Sequence, residues 1–526
     1  MADILFVNGL VLTQEDHTPE AQALALRQGR IVAVGASAEL RRLAGAQTKV
    51  IDLDGRCLLP GFHDSHVHLG QYGFELSQVE LDGTATMEEG LARVAERAAQ
   101  LPKGQWLLGS GFALQRWGRT SVSKTDLDAV SRDHPMLLTS QDHHSSWANT
   151  LALEKAEVNR LTRDPPNGRL VRDASGEPTG LLLEHATALV RRAIPKPSRD
   201  EIRAALRQAG ERLASYGITT VHHMAYEPAD NWREMASLAS EATFPLRLWA
   251  CIPQEELEHA LALGLATGQG GEHFAVGGAK FFTDGALGSG TAWMLEPYAN
   301  SANYGMEVHG PEVLRARFPL AIEAGLVPVT HAIGDAANRS VLDALEATRS
   351  LWQGVGMRPR IEHAQHVSRD DIARFGDLGL IASMQPVHLT FDMDVIRNAL
   401  PGRASRAYAM RSLSDAGALL AFGSDTPVAS PDVVVGLKAA CHRANSQGEV
   451  LTPAERLSPK EALAAYTRDA AAAIGWEHRS GRLRPGFDAD LVIVSHDPRE
   501  SLDGLEVLST MKAGRWTYRG AFQPEA

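Results

Sequence analysis

Cysteine is scarce. Cys57, Cys251 and Cys441 are spread over 526 positions. An odd count with no CxxC pair cannot build a disulfide framework or a cysteine zinc knot. Long hydrophobic runs are also missing, since no stretch reaches the roughly 18 apolar residues that a membrane-spanning helix needs. The opening MADILFVNGLVLTQEDH has no basic n-region, and its apolar stretch breaks at Asn8–Gly9, so it does not read as a signal peptide. Positive charge is in deficit: 52 Lys and Arg face 64 Asp and Glu, a formal net charge of −12. That balance argues against a broad phosphate-neutralising face. These absences lead to the expectation of a cytoplasmic protein without membrane or nucleic-acid partners. Apolar residues at 44% and charged residues at 22% are ordinary for a globular chain, and this one is long enough to bury a large core. What stands out is histidine. There are 20, several of them closing apolar β-like runs.

The first 60 residues read as short strands divided by Gly and Asp turns, and the tail (Gly481 to Val494, Val507 to Tyr518) reads alike. Strands at both ends predict a small β-sandwich domain assembled from residues 1–59 and 478–526. From Pro60 onward strand and helix alternate. Ser198 and Glu201 form a capping box, apolar residues follow at helical spacing, Gly217 stops the helix, and ITTVHHM follows as a strand. The phrase recurs: a helix from about Glu312 to Gly325 precedes VPVTHAIGD, and one opened by Ser368 and Asp371 precedes LIASMQP. Helix, glycine, strand, repeated, predicts a parallel sheet.

A (β/α)8 TIM barrel takes about 250 residues, about 31 per unit. His363 follows His331 by 32 residues and Asp425 follows His363 by 62, one unit and two. Eight candidate strands emerge: the run ending at His66 and His68, then 218–224, 244–252, 275–285, 327–335, 358–365, 380–386 and 417–425. The fold class is therefore α/β, a barrel over 60–477. The 154 residues between His68 and His222 are far too many for one unit. They predict an inserted subdomain at about 72–197, after the first barrel strand, containing a helix capped by Thr86 and Glu89.

In such a barrel, chemistry sits at the C-terminal strand ends. His66 and His68 stand there on the first strand, His222 and His223 on the second, Lys280 on the fourth, His331 on the fifth, His363 on the sixth and Asp425 on the eighth. Residues two apart on a strand share a face, so His66 and His68 can both enter the mouth. Imidazole nitrogens and carboxylate oxygens suit Zn²⁺ and similar divalent ions.

PGFHDSHVHL (60–69), IEHAQ (361–365) and GSDTPV (423–428) resemble the metal-dependent amidohydrolase superfamily. KFFTDGALGSGTA (280–292), SQDHHSSWAN (140–149) and GLLLEHA (180–186) narrow the resemblance to the amidohydrolase-3 family, which includes N-substituted formamide deformylase-like enzymes. The likeness runs through essentially the whole chain. It implies that His66, His68 and Asp425 hold one divalent metal, zinc foremost, and that His331 and His363 hold a second if there are two. Lys280 would bridge them as a carboxylated lysine; the alternative is an ordinary lysine paired with Asp284 and a single-metal centre.

The resemblance further implies a hydrolase acting on non-peptide C–N bonds of a small-molecule substrate, a linear amide or N-acyl compound. A metal-activated hydroxide would attack, and Asp425 would move the proton to the leaving nitrogen. Rival readings are a cyclic amide, carbamate or ester hydrolase or a deaminase on the same site, or a metal-binding protein without turnover. His144, Glu184 and His222 are candidate substrate contacts, although Glu184 has Arg191 and Arg192 as alternative partners. Trp147 and Trp293 are candidate pocket walls or core, while His17, His134, His259, His442, His478 and His496 read as surface. Family habit suggests a homodimer. His63, His143, His223 and Gly290 depart from the family pattern. Gly290 replaces a frequent arginine, which would fork a substrate carboxylate, so a neutral or bulkier substrate is expected.

Overall fold

Eight short runs, buried along nearly their whole length, form a parallel sheet, as strands wrapped by helices must. In the computed structural model, which describes residues 1–141 and 144–522, they are β1 (Phe62–Val67), β2 (Ile218–His223), β3 (Arg247–Pro253), β4 (Phe274–Phe282), β5 (Pro328–Ala332), β6 (Arg360–His363), β7 (Ile381–Met384) and β8 (Leu419–Phe422). Each pairs with its neighbour in chain order. Six fall within the runs named above, while β3 runs one residue past its run, to Pro253, and β4 begins one residue before its run, at Phe274. His143 lies outside the described residues.

The barrel's last seam, between β8 and β1, is stitched at the mouth. Asp425 N–H donates to the His66 carbonyl at 2.7 Å, and His68 N–H to the Thr426 carbonyl at 2.9 Å. Gly423 permits this approach, because a Cβ there would stand 2.5 Å from His66 N. Asp64 ties the seam from beneath, accepting from Ser424 N at 2.9 Å and Ser424 Oγ at 2.5 Å. Closure therefore fixes the first and last strand ends against each other, which is where the candidate ligands stand.

The chain divides into two compact units, Met1–Tyr72 with Leu206–Ala526, and Gly73–Ala205. In the first unit the barrel is accompanied by two further sheets. A four-stranded one holds residues 4–7, 23–27, 30–35 and 49–52; a six-stranded one combines 10–12, 20–21 and 57–60 with 491–494, 507–512 and 515–519. The strand 57–60 runs antiparallel to 491–494, so both ends of the chain share one sheet. Phe6, Leu24 and Ile51 from one sheet and Leu58, Leu491 and Leu508 from the other fill a common core, as facing sheets do.

The second unit carries a six-stranded mixed sheet of residues 79–80, 107–112, 136–140, 145–148, 168–172 and 178–184. Its helix Met87–Gln100 is capped by Thr86, which accepts from Glu89 N, but the Glu89 carboxylate turns to the Ala85 amide. Ser198 and Glu201 make the full reciprocal box. Ser368 does not cap with its side chain: the Asp371 amide donates to the Ser368 carbonyl at 2.9 Å, and the Asp371 carboxylate pairs with Arg339 and Arg374. Trp147 is core: fully buried, it packs with Phe112 and Trp117. His134, expected at the surface, is buried with Nδ1 on the Gln105 carbonyl at 3.1 Å.

Candidate metal centre

His66, His363 and Asp425 bring one ligand atom each to within 4.8 Å of one another, all three buried. His68 joins them, its Nε2 at 3.4 Å from Asp425 Oδ1 while His66 Nε2 lies 3.3 Å from the same oxygen. The His331 ring meets that of His363 at 4.5 Å between centroids. The tightest grouping thus draws on β1, β6 and the turn after β8, with His68 and His331 at its margins.

Second partners set the tautomers. His66 Nδ1 faces Glu362 Oε2 at 2.7 Å, and His363 Nδ1 faces Gln385 Oε1 at 2.7 Å. Both partners are acceptors, so both Nδ1 atoms carry the proton and both Nε2 lone pairs are left for an ion. Burial lowers the His66 pKa to about 4 and pulls His363 well below the ordinary imidazole value, so both rings are neutral at physiological pH. Burial would raise Asp425, but His66, His68 and His388 outweigh it and hold its pKa at about 2. Two neutral imidazoles and an ionised carboxylate are the protonation states that a divalent ion requires.

Glu362 is itself anchored. Arg360 Nε donates to its Oε1 at 2.9 Å, with both side chains fully buried. Burial would raise the Glu362 carboxyl, but Arg360 and His66 keep it well below the usual carboxylate range. Arg360 also donates to the Ser65 carbonyl and to Ser383 Oγ, and its Nη1 lies 3.0 Å from His222 Nδ1. His222 continues to His63, Nε2 to Nδ1 3.4 Å, and His63 Nε2 lies 3.0 Å from Ser480 Oγ. The structure therefore places His222 beneath the mouth, fully buried with both nitrogens engaged. His223 Nδ1 accepts from the Leu69 amide at 3.4 Å. His144 and Glu184 belong to the second unit, where His144 Nδ1 pairs with Glu184 Oε1 at 3.0 Å and both are exposed.

Lys280 lies inside the barrel, fully buried; among the described residues its Nζ has no hydrogen-bond partner, and it stands 4.9 Å from the centroid of the Phe282 ring. Burial lowers its pKa, with Glu362 and Asp425 acting the other way. The pairing with Asp284 does not form. Asp284 instead accepts from the backbone amides of Ile333, Gly334 and Trp293 at 2.8–3.0 Å, and His331 Nε2 sits 3.3 Å from its Oδ1.

Four contributors were not singled out in the sequence: Glu362, Arg360, Gln385 and His388. Strand alternation would turn Glu362 away from the face of His363, but His363 has φ +72 and Ala364 φ +42. This left-handed break aims both side chains at the mouth. Asp425, at φ +63, is a second such residue, and backbone outliers of this kind gather at functional sites. His388 lies in a short turn after β7, Nε2 at 3.2 Å from the Ser424 carbonyl and 4.0 Å from Asp425 Oδ2. The signal was available in the QPVHL that follows β7.

The amidohydrolase family model matches residues 49–518. Protein LONG AFTER FAR-RED 3 of Arabidopsis thaliana is 36% identical over 98% of this chain and 92% of its own length. N-substituted formamide deformylase of Arthrobacter pascens is 27% identical, covering 98% of both chains. Among solved structures, an uncharacterized metal-dependent hydrolase from Pyrococcus furiosus is 28% identical with a TM-score of 0.79, covering 94% of this chain and 99% of that one.

Proposed function

The chain belongs to the amidohydrolase family, and on that premise we propose that it is a metal-dependent hydrolase of non-peptide C–N bonds acting on small linear amides or N-acyl compounds. The observation that carries the reading is the convergence of two tautomer-fixed imidazoles and an ionised carboxylate within 4.8 Å. The likeness to a deformylase of N-substituted formamides supports an amide whose nitrogen bears a substituent.

We assign His66, His68, Lys280, His331, His363 and Asp425 to the metal centre, with zinc as the ion because the donors are nitrogen and oxygen. The Lys280 amine, without a hydrogen-bond partner among the described residues, would decide between one ion and two. Its nitrogen can add to CO₂, releasing one proton and forming a carbamate whose oxygens would be metal donors; left as an amine it would offer none and favour a single ion.

These residues would hold a divalent ion, which would supply an activated water at neutral pH and polarise the scissile carbonyl. Asp425 then accepts a proton and carries it to the leaving nitrogen, which an amide requires because an amide anion leaves poorly. His388, aimed through Nε2 at the Ser424 carbonyl and Asp425 Oδ2, steadies that carboxylate. Glu362 and Gln385 hold the rings of His66 and His363 in register.

No helix among the described residues is long and apolar enough to cross a membrane. We place the enzyme in the cytoplasm, a reading that three buried free cysteines support. The net charge of −12 supports a small molecule over nucleic acid as its partner. A homodimer is proposed and is checked by light scattering.

The test is turnover by zinc-loaded protein on a panel of N-substituted formamides and acetamides beside cyclic amides, carbamates, esters and aminoheterocycles. Linear amides should be cleaved fastest. Preference for another group would reassign the bond, and full metal occupancy with no turnover on any member would refute the enzyme.

A further inference from the structure

Rings at the barrel mouth follow one another in a series. Tyr226 meets Phe282 edge-on at 4.5 Å between centroids, Phe282 stacks on His331 at 4.8 Å, and His331 meets His363 at 4.5 Å. His363 stacks on His388 at 6.4 Å, and His388 leans on Phe391 at 5.2 Å. The three imidazoles are buried, whereas the end rings are open, Tyr226 at 42% and Phe391 at 52% exposure. Single exposed aromatics are ordinary on a protein surface. These two cap an arc whose middle is the candidate metal centre.

The ends are also held in place. Ala225 and Tyr226 have consecutive left-handed backbones, φ +51 and +60, just past β2. The Tyr226 hydroxyl donates to the Lys280 carbonyl at 3.4 Å, which fastens the ring over the strand that carries Lys280. Phe391 lies in the helix Leu389–Ala399, whose Leu389, Asp392, Met393 and Ile396 are buried. That anchored helix keeps the exposed ring beside His388.

We propose that this arc is a substrate-binding surface for planar, apolar substituents on both sides of the scissile bond, with the N-substituent over Phe391 and the acyl substituent over Phe282 and Tyr226. The proposal rests on the hydrolase reading above and names its substrate class. Its polarity follows from Asp425, the proposed proton carrier to the leaving nitrogen. Asp425 Oδ2 lies 4.0 Å from His388 Nε2, and His388 abuts Phe391. Aromatic faces reward offset or edge-on rings.

Two measurements test it. In chelator-treated protein, calorimetric titration should detect benzamide and N-benzylacetamide but not acetamide, with benzamide affinity falling about 3- to 10-fold in Tyr226→Ala, and N-benzylacetamide affinity falling by a similar factor in Phe391→Ala and restored in Phe391→Trp. In zinc-loaded protein, Phe391→Ala should raise KM for N-benzylacetamide by a similar factor and leave N-methylacetamide unchanged, while Tyr226→Ala should do so for N-methylphenylacetamide. Equal binding of both ring-bearing amides by wild type and both variants, or equal KM across the panel, would overturn the arc while leaving a turning-over hydrolase intact. Binding of benzamide that depends on Tyr226 and of N-benzylacetamide that depends on Phe391, in a loaded protein that cleaves nothing, would support the arc and sink the hydrolase reading instead. Thermal melts confirm that each variant folds.

Discussion

Glu362→Gln removes the one charge that both neutralises buried Arg360 and holds His66 by its Nδ1 proton. Arg360 and Glu362 have no exposed side-chain surface, and their contact is 2.9 Å. Stripping one partner from a buried ion pair costs about 3–5 kcal/mol, because the other charge is left uncompensated. The amide can still accept from Arg360 Nε, so the loss should fall near 3 kcal/mol, the low end of that range. The effect on metal is separate: an outer partner of a ligating histidine is worth roughly 10- to 100-fold in affinity. A second change, Arg360→Met, removes the stranded cation and should recover part of the stability but none of the affinity, because His66 still lacks its anchor. Urea unfolding of chelator-treated protein reads the first quantity, and competition for zinc against a chromophoric chelator reads the second. If Glu362→Gln unfolds at the wild-type urea concentration and binds zinc as tightly, the role assigned to Glu362 is wrong.

Other expectations follow from the same geometry. Asp425→Asn should keep the fold and lose about 10²- to 10⁴-fold in turnover, and near-normal kcat on a good amide would contradict its role. Lys280→Met should leave metal-free protein as stable or up to about 1 kcal/mol more stable, since an unpaired buried amine is removed; a clear loss of stability in melts would reveal a partner for Nζ. Gly423→Ala should destabilise by about 1–3 kcal/mol, because its Cβ has no room beside His66 N; an unchanged melting temperature would show that the seam yields. Burial lowers His63 and His366 to about 3 and His66 and His223 to about 4, whereas unfolded histidines titrate near about 6.5. The unfolded chain therefore binds more protons as pH falls below about 6.5, and stability must drop toward pH 4. Urea midpoints of metal-free protein that stay flat from pH 7.5 to 5 would refute this.

The barrel was legible because its rhythm is written in residue types. A capped helix, a terminating glycine and a β-branched run recur at one period, and all eight runs became strands. The shared terminal sheet was legible for a similar reason: short alternating strands at both ends each needed a partner. The centre was legible only in part. His66, His68, His331, His363 and Asp425 announce themselves by standing at or near strand ends, and the structure gathers them at one mouth. Glu362 does not, because reading it as a contributor requires knowing that His363 turns left-handed and breaks the period of two. His388 escaped because it follows its strand through a turn. His222 sits at a strand end like the others, yet Arg360 and His63 claim both of its nitrogens, and no spacing rule reveals that. Asp284 looked like a partner for Lys280 four residues earlier, but its carboxylate is consumed by three backbone amides.

The most direct test of the whole account is the metal content of protein purified without chelators, with wild type measured beside His66→Ala/His363→Ala. The account predicts at least one divalent ion per wild-type chain and its loss from the double variant, with far-UV circular dichroism unchanged. A wild-type chain that stays metal-free after incubation with zinc, or a double variant that retains the full complement, would contradict it.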